Sequence, residues 1–140
     1  MQPVEIRAGT ESDIGGVLAL WRGAEGPPSP TDTAAGLGRL LRHDPGSLLL
    51  AESDDAVVGS LIAAWDGWRG SLYRLAVDQD WRRQGIATTL VQTGEERLRR
   101  LGAIRLTALV ASADREAIGL WRAVGYERQP GTSRFVRMLG

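Results

Sequence analysis

The sequence predicts one α/β domain with a mixed sheet, and three observations point there. Its 140 residues are one domain's length, enough to bury a real core. Apolar spacing switches between strand and helix periods in the order β-α-α-β-β-β-α-β-α-β-β, which gives four helices and six to seven strands. No repeat, low-complexity tract or second-domain composition interrupts residues 1–140, so they read as a single domain.

Each element has a local cause. Val4 to Ala8 is a short β-like start. Thr10-Glu11-Ser12-Asp13 has the Ser/Thr-x-x-Asp/Glu form that satisfies free amides at a helix start. Ile14, Val17, Leu18 and Trp21 then follow at helical spacing. Gly26-Pro27-Pro28-Ser29-Pro30 is too short for a linker and reads as a loop between two helices, the second carrying Leu37, Leu40 and Leu41. His43-Asp44-Pro45-Gly46 ends that helix, and His43 reads as a capping or surface group.

Strands follow at Ser47 to Ala51, Ala56 to Trp65 and Ser71 to Val77, with turns at Asp54-Asp55 and Asp66-Gly67. The unbroken run Leu48-Leu49-Leu50 predicts a strand covered on both faces. Ile86 to Leu101 is helical, stopped by Gly102 in a left-handed cap. On that helix Arg97, Arg99, Arg100, Glu95 and Glu96 read as a solvated face. Ile104 to Val110 is a further strand. Asp114 caps a short helix carrying Ile118, Trp121 and Val124, closed by Gly125. Tyr126 to Arg128 and Arg134 to Leu139 are expected to form a last hairpin around Pro130-Gly131.

Composition removes whole classes of function. The 17 Lys+Arg, all of them arginine, balance 17 Asp+Glu. A formal net charge of +0 argues against bulk nucleic-acid binding, which rests on many phosphate-neutralising cations. With no cysteine and one histidine there is no disulfide framework, thiolate metal site, cysteine nucleophile or Ser-His-Asp triad, and no metal is expected. No apolar run approaches the roughly 20 residues of a membrane span. The first residues lack the basic and apolar stretches of a signal peptide. A cytoplasmic protein, bound neither to membrane nor to nucleic acid, is the expectation.

Chemistry concentrates between Leu75 and Thr88. An apolar strand, Leu75-Ala76-Val77, gives way to the polar loop Asp78-Gln79-Asp80-Trp81-Arg82-Arg83-Gln84, and Gly85-Ile86-Ala87-Thr88 opens a helix. Free amides at a helix start attract anions, the small Gly85 and Ala87 let a ligand approach the backbone, and Arg82 and Arg83 add donors suited to phosphate. A pyrophosphate is the natural guest. The competing reading is a polar loop with a helix-starting glycine. With no lysine there is no Gly-x-x-x-x-Gly-Lys-Ser/Thr loop, nor does a Gly-x-Gly-x-x-Gly open a Rossmann unit.

Arg82-Arg83-Gln84-Gly85-Ile86-Ala87 resembles the Gln/Arg-x-x-Gly-x-Gly/Ala signature of the GNAT superfamily of acetyl-coenzyme A-dependent N-acetyltransferases. Leu75-Ala76-Val77 looks like that family's strand before the loop, and Asp114 through Tyr126 is similar to its second block. Trp65-Asp66-Gly67-Trp68-Arg69-Gly70 and its surroundings look most like the YpeA-type branch of bacterial acetyltransferases. The resemblance implies the GNAT fold, with a mostly antiparallel mixed sheet, and acetyl-CoA as cosubstrate. Backbone amides from Arg82 to Thr88 would hold the pyrophosphate, and Leu75, Ala76 and Val77 the pantetheine arm. The strand ending at Val77 and the strand from Ile104 would splay to admit the thioester, with an oxyanion-binding amide near Val77. A small-molecule or peptide amine would approach near the first two helices and Asp66 to Gly70.

Two catalytic roles are open on this reading. Where the family carries a Tyr that protonates the thiolate, this chain has Trp121, whose indole does not usefully give up its proton; Trp121 reads as a packing aromatic. Tyr73 shares strand parity with Leu75 and Val77, and so is a candidate to project into the cleft and relay a proton. Asp66 is a candidate base through water, against its reading as a turn residue. Trp65, Trp68 and Arg69 fit either acceptor binding or, alternatively, one core tryptophan and one covering a homodimer contact. The alternative function is a non-catalytic acyl-CoA-binding or interaction module with a degenerate site.

Overall fold

The leucine run at 48–50 is the centre around which the sheet is assembled. In the computed structural model, which describes residues 3–24 and 29–140, all three leucines are buried, and strand β2 (Leu48–Ser53) lies inside a five-stranded sheet. β1 (Glu5–Ala8), β2, β3 (Ala56–Trp65) and β4 (Gly70–Val77) pair antiparallel in that order. β5 (Leu106–Ala108) joins β4 in parallel. Asp54 and Asp55 both take positive φ, the conformation a tight turn between β2 and β3 requires.

Because side chains alternate across a strand, each face collects its own core. Leu48, Leu50 and Ile62 pack with Val17, Leu20 and Trp21 of α1 (Ile14–Gly23) and with Leu37 and Leu41 of α2 (Ala34–His43). The opposite face is covered by α3 (Ile86–Leu101), the crossover between β4 and β5. Close approach there depends on Gly94: a Cβ would stand 3.0 Å from Leu61 Cδ2 and 3.2 Å from Ala63 Cβ. Each leucine buried in these layers contributes roughly 1.5–3 kcal/mol.

The helix signals act locally. The amide of Thr10 donates to Asp13 Oδ2 at 2.8 Å, so the expected capping pair opens a 3-10 turn (Glu11–Asp13) that runs into α1. Asp13 is also gripped by Arg7, at 2.8 and 2.9 Å, and Arg7 reaches on to Glu52. Thr33 Oγ1 accepts from the Gly36 amide and caps α2; the sequence reading had no cap there. Gly102 takes φ +112 after α3, as a left-handed cap demands. The Gly26-Pro27-Pro28 part of the expected loop lies outside the described residues, as do Met1 and Gln2.

The contacts divide the chain after Leu109. The second unit, Val110–Gly140, contains α4 (Arg115–Ala123), capped by Asp114, whose Oδ1 accepts from the Ala117 amide at 3.0 Å. Gly125 follows with φ +101.

Two expectations about strands need correction. The described residues hold five strands, not six to seven, because neither Tyr126–Arg128 nor Arg134–Leu139 forms one. Phe135, Val136, Met138 and Leu139 lie exposed, and a hairpin that buries no face is at best marginal in water. The strand expected over Ile104–Val110 shortens to Leu106–Ala108, and Ile104 is fully exposed. Among the described residues no helix is long and apolar enough to cross a membrane.

Candidate active site

The site begins with an irregularity in β4. Ile62 pairs with Tyr73 and Ser60 with Ala76, so Arg74 and Leu75 together stand opposite Leu61. That is a β-bulge, and it bends β4 with Arg74 at φ +55, a left-handed conformation that costs a non-glycine residue about 1–2 kcal/mol. Specific contacts offset that cost. The buried Ser60 hydroxyl donates to the Arg74 carbonyl at 2.9 Å and accepts from Trp21 Nε1 at 2.9 Å. The Arg74 guanidinium lies 5.0 Å from the Trp21 ring centroid, and its Nε donates to Asp32 Oδ1 at 2.9 Å. Burial lowers the Arg74 pKa from its ordinary value.

The bulge overturns the expected parity of Tyr73. One extra residue flips the alternation, so Tyr73 shares a face with Ala76 rather than with Leu75 and Val77. That is the face packed by α1 and α2.

Past the bulge, β4 has a partner strand on one edge only among the described residues. Pairing with β5 stops at Leu72–Ala108, which leaves the β5-side edge of Leu75, Ala76 and Val77 without a strand. An extended ligand can add there through main-chain hydrogen bonds.

The loop after β4 is held by its own backbone. The Asp78 amide donates to the Val58 carbonyl at 2.8 Å, and Asp78 Oδ1 accepts from the Asp80 amide at 2.9 Å. Arg83 and Gly85 both adopt positive φ, +63° and +80°. Gly85 then serves as N-cap of α3, with no side chain satisfying the first amides and no acidic residue in the first turn. The first internal bond of α3 is Thr89 N to Gly85 O at 3.0 Å, so the amides of Ile86, Ala87 and Thr88 are available to an anion. A Cβ on Gly85 would meet nothing within 4 Å, which describes an open approach to the backbone.

The two arginines of the loop differ. Arg82 folds back, its Nε donating to the Val77 carbonyl at 3.3 Å, and so braces the end of β4. Arg83 and Gln84 are exposed.

Before the bulge lies a cavity of about 200 Å³, lined by the end of α2, the last residues of β3, the β3–β4 turn and the start of β4. It brings Tyr73 and Asp66 together with His43, Asp44, Trp65 and Arg69. Asp66 Oδ1 accepts from the amides of Arg69 (2.6 Å) and Trp68 (2.7 Å), so Asp66 shapes the turn. These donors, Arg69's foremost, hold its carboxyl below the usual value, which makes it a fixed negative charge and a weak base. Trp68 is 72 % exposed with the Arg69 guanidinium 4.1 Å over its ring, whereas Trp65 is half-buried.

Sequence reasoning missed Arg97. It is no solvated side chain: Nη1 donates to the Ala63 carbonyl and Nη2 to Asp44 Oδ1, both at 2.6 Å. Asp44 Oδ2 in turn accepts the Trp65 amide at 2.9 Å. This partly buried pair ties α3 to the end of α2 and to β3 behind the cavity. The signal was present, since Leu90, Gly94, Arg97 and Leu101 follow i, i+4, i+7, i+11 spacing along one side of the helix. His43, read from the sequence as a capping or surface group, is exposed at the end of α2 and lines the cavity; nothing local in the sequence says that a cavity lies there.

In the second unit, Trp121 is buried and meets the Tyr126 ring edge-on, centroids 4.9 Å apart. Among the described residues no cluster of His, Asp and Glu could hold a metal ion.

A family model described as Acetyltransferase (GNAT) family matches residues 17–126. The chain is 35% identical over 126 residues to an acetyltransferase of Yersinia enterocolitica, covering 90% of this chain and 89% of that one. It is 33% identical over 124 residues to an acetyltransferase of Pectobacterium atrosepticum, covering 89% and 88%. Among solved structures, the PaiA N-acetyltransferase of Thermoplasma acidophilum in complex with coenzyme A superposes with a TM-score of 0.80 at 15% identity, over 91% of each chain.

Proposed function

Because the chain belongs to the GNAT acetyltransferase family, we propose that it moves an acetyl group from acetyl-CoA to a primary amine of a small molecule or a peptide N-terminus, and that the acceptor enters the cavity beside Tyr73. Family membership makes it an acetyl-CoA-dependent acyltransferase; the acceptor class and the residue roles are the proposal. We read residues 1–140 as one domain of this family, of the YpeA type, acting in the cytoplasm.

The observation that carries the reading is the bulge at Arg74, which divides β4 into two differently equipped halves. On the far side, the open edge at Leu75 to Val77 suits the pantetheine arm, and the amides of Ile86, Ala87 and Thr88 suit the pyrophosphate. Arg83 and Gln84 stand free to add donors, while Arg82 acts through Val77. Bound there, acetyl-CoA supplies an activated carbonyl with a thiolate leaving group.

The chain's own contribution is placement. The amine nitrogen attacks the thioester carbon from the α1–α2 side, a carbon–nitrogen bond forms, and the carbon–sulfur bond breaks. A backbone amide near Val77 receives the oxyanion. Holding the two reactants in line is worth up to ~7–11 kcal/mol in favourable cases.

The second reading, an acyl-CoA-binding module without turnover, is favoured by Trp121 at the family's acid position. Titration with acetyl-CoA followed by thiol release over a panel of amines and peptides separates the two. Binding plus release with any acceptor supports transfer, whereas binding without release supports the module. Absence of binding at millimolar acetyl-CoA overturns both.

A further inference from the structure

His43 is the only histidine in the chain and the last residue of α2, and it lines the cavity with Tyr73 and Asp66. Of the other charged groups of that cavity, Asp44 and Arg69 are already engaged, and Asp66 is held through Oδ1 alone. Asp44 is held between Arg97 and the Trp65 amide, Asp66 receives the amides of Arg69 and Trp68, and Arg69 lies over the Trp68 ring. The His43 side chain makes no hydrogen bond or ion pair among the described residues. It is exposed and borders the cavity.

Resting on the acetyl-transfer reading above, we propose that His43 takes the proton from the substrate ammonium in this cavity, with the Asp66 carboxylate as the charge that seats the ammonium. Alkyl ammonium groups titrate near 10, so a primary amine arrives protonated and without a free lone pair. Imidazole is the side chain whose ordinary titration spans neutrality, which suits it to accept that proton and return it to water.

The step balances. The ammonium passes one proton to the imidazole, and the neutral amine attacks the thioester carbon. As the carbon–nitrogen bond forms and the carbon–sulfur bond breaks, the second nitrogen-bound proton goes to the departing thiolate. The imidazolium then releases its proton to solvent. The products are an amide, coenzyme A thiol and one proton.

The charged and titratable groups that line the cavity with His43 are Asp44, bonded to Arg97 of α3, Asp66 and Arg69 of the turn, and Tyr73 of β4. On its own helix are Arg39 and Arg42, the latter bonded to Glu11.

A single histidine makes the test clean. Its imidazole resonances are followed by NMR through a pH titration, with and without a primary amine that supports turnover. Thiol release is measured over the same range for the full chain and for His43→Gln. The expected result is an acid limb in kcat/KM that coincides with the imidazole titration, and resonances that shift on adding the amine. In His43→Gln the limb disappears and the rate falls about 100-fold, with acetyl-CoA affinity unchanged. A variant that keeps the limb and a rate within about twofold overturns the proposal, as do resonances indifferent to the amine. A full chain that binds acetyl-CoA but acetylates nothing at any pH brings down the transfer reading instead, and this proposal with it.

Discussion

Beyond the bulge, from Leu75 to the first turn of α3, the chain offers mainly backbone: an open strand edge, unpaired amides and two residues at positive φ. Before it, from Asp66 to Tyr73, the chain offers side chains, joined by others from α2 and β3. The two halves of one strand are thus specified differently. Backbone geometry depends on a contiguous stretch and tolerates many side chains, provided that glycine stands where φ is positive and a ligand comes close. The cavity depends on segments far apart in sequence, and each contributes one or two groups. Binding of a shared cosubstrate suits the first kind of construction, and selection among acceptors suits the second.

The largest expected effect breaks the backbone half alone. Gly85→Glu places a side chain and a negative charge where the pyrophosphate would sit, and acetyl-CoA affinity should fall at least about 100-fold by calorimetry. Folding should survive. No atom lies within 4 Å of the added Cβ, so the cost is the left-handed φ of +80°, about 1–2 kcal/mol. The His43 resonances should not move, because the cavity is built elsewhere. Unchanged affinity for acetyl-CoA would remove the loop from the cofactor site.

Arg97→Gln strikes the other half from behind. It leaves Asp44 nearly buried without its cation, a loss of about 3–5 kcal/mol for a fully buried pair and somewhat less here. The end of α2 and the Trp65 segment should then lose their register. The acceptor KM is expected to rise about tenfold, while acetyl-CoA affinity stays within about twofold. Arg97→Lys keeps the charge but not the fork that reaches both Ala63 and Asp44, and should fall between. If acceptor KM and cofactor affinity rise together, the halves are coupled through α3 and the comparison fails.

What was legible in the sequence follows the same division. The loop from Asp78 to Thr88, the caps at Thr10, Asp114, Gly102 and Gly125, and the doubly covered run at Leu48–Leu50 are local patterns, and each appears in the fold where its pattern stands. The expected shared face of Tyr73 with Leu75 and Val77 fails, since a bulge leaves no mark in a sequence whose strand period is otherwise intact. Arg97 carried a helical-spacing signal that its charge disguised. His43 carried none, because its position depends on where the β3–β4 turn comes to rest. The last hairpin failed for the opposite reason: the local pattern was adequate, but Phe135 and Leu139 stay exposed and no strand forms there.

The smallest effect on either half should come from a network that belongs to neither. Arg7 binds Asp13 and Glu52 at the β1 edge of the sheet, and the Arg7 guanidinium, followed by the Thr10 amide, holds the Asp13 carboxyl well below the usual carboxylate range. A carboxyl depressed in the folded state contributes stability at pH values above its unfolded pKa. That contribution drains away as pH falls from about 4 toward the folded value. Asp13→Asn should therefore lower stability at pH 7 by only about 1 kcal/mol, given the partial exposure of Arg7, and flatten the acid side of the stability profile. Thermal melts from neutral to acid pH read both changes. In the same variant at neutral pH, acetyl-CoA affinity and acceptor KM should be unaltered. A shift in either would mean that the start of α1, through Trp21 and Ser60, sets the bulge that separates the two halves. The comparison would then have to be drawn across the whole α1–α2 layer rather than along β4 alone.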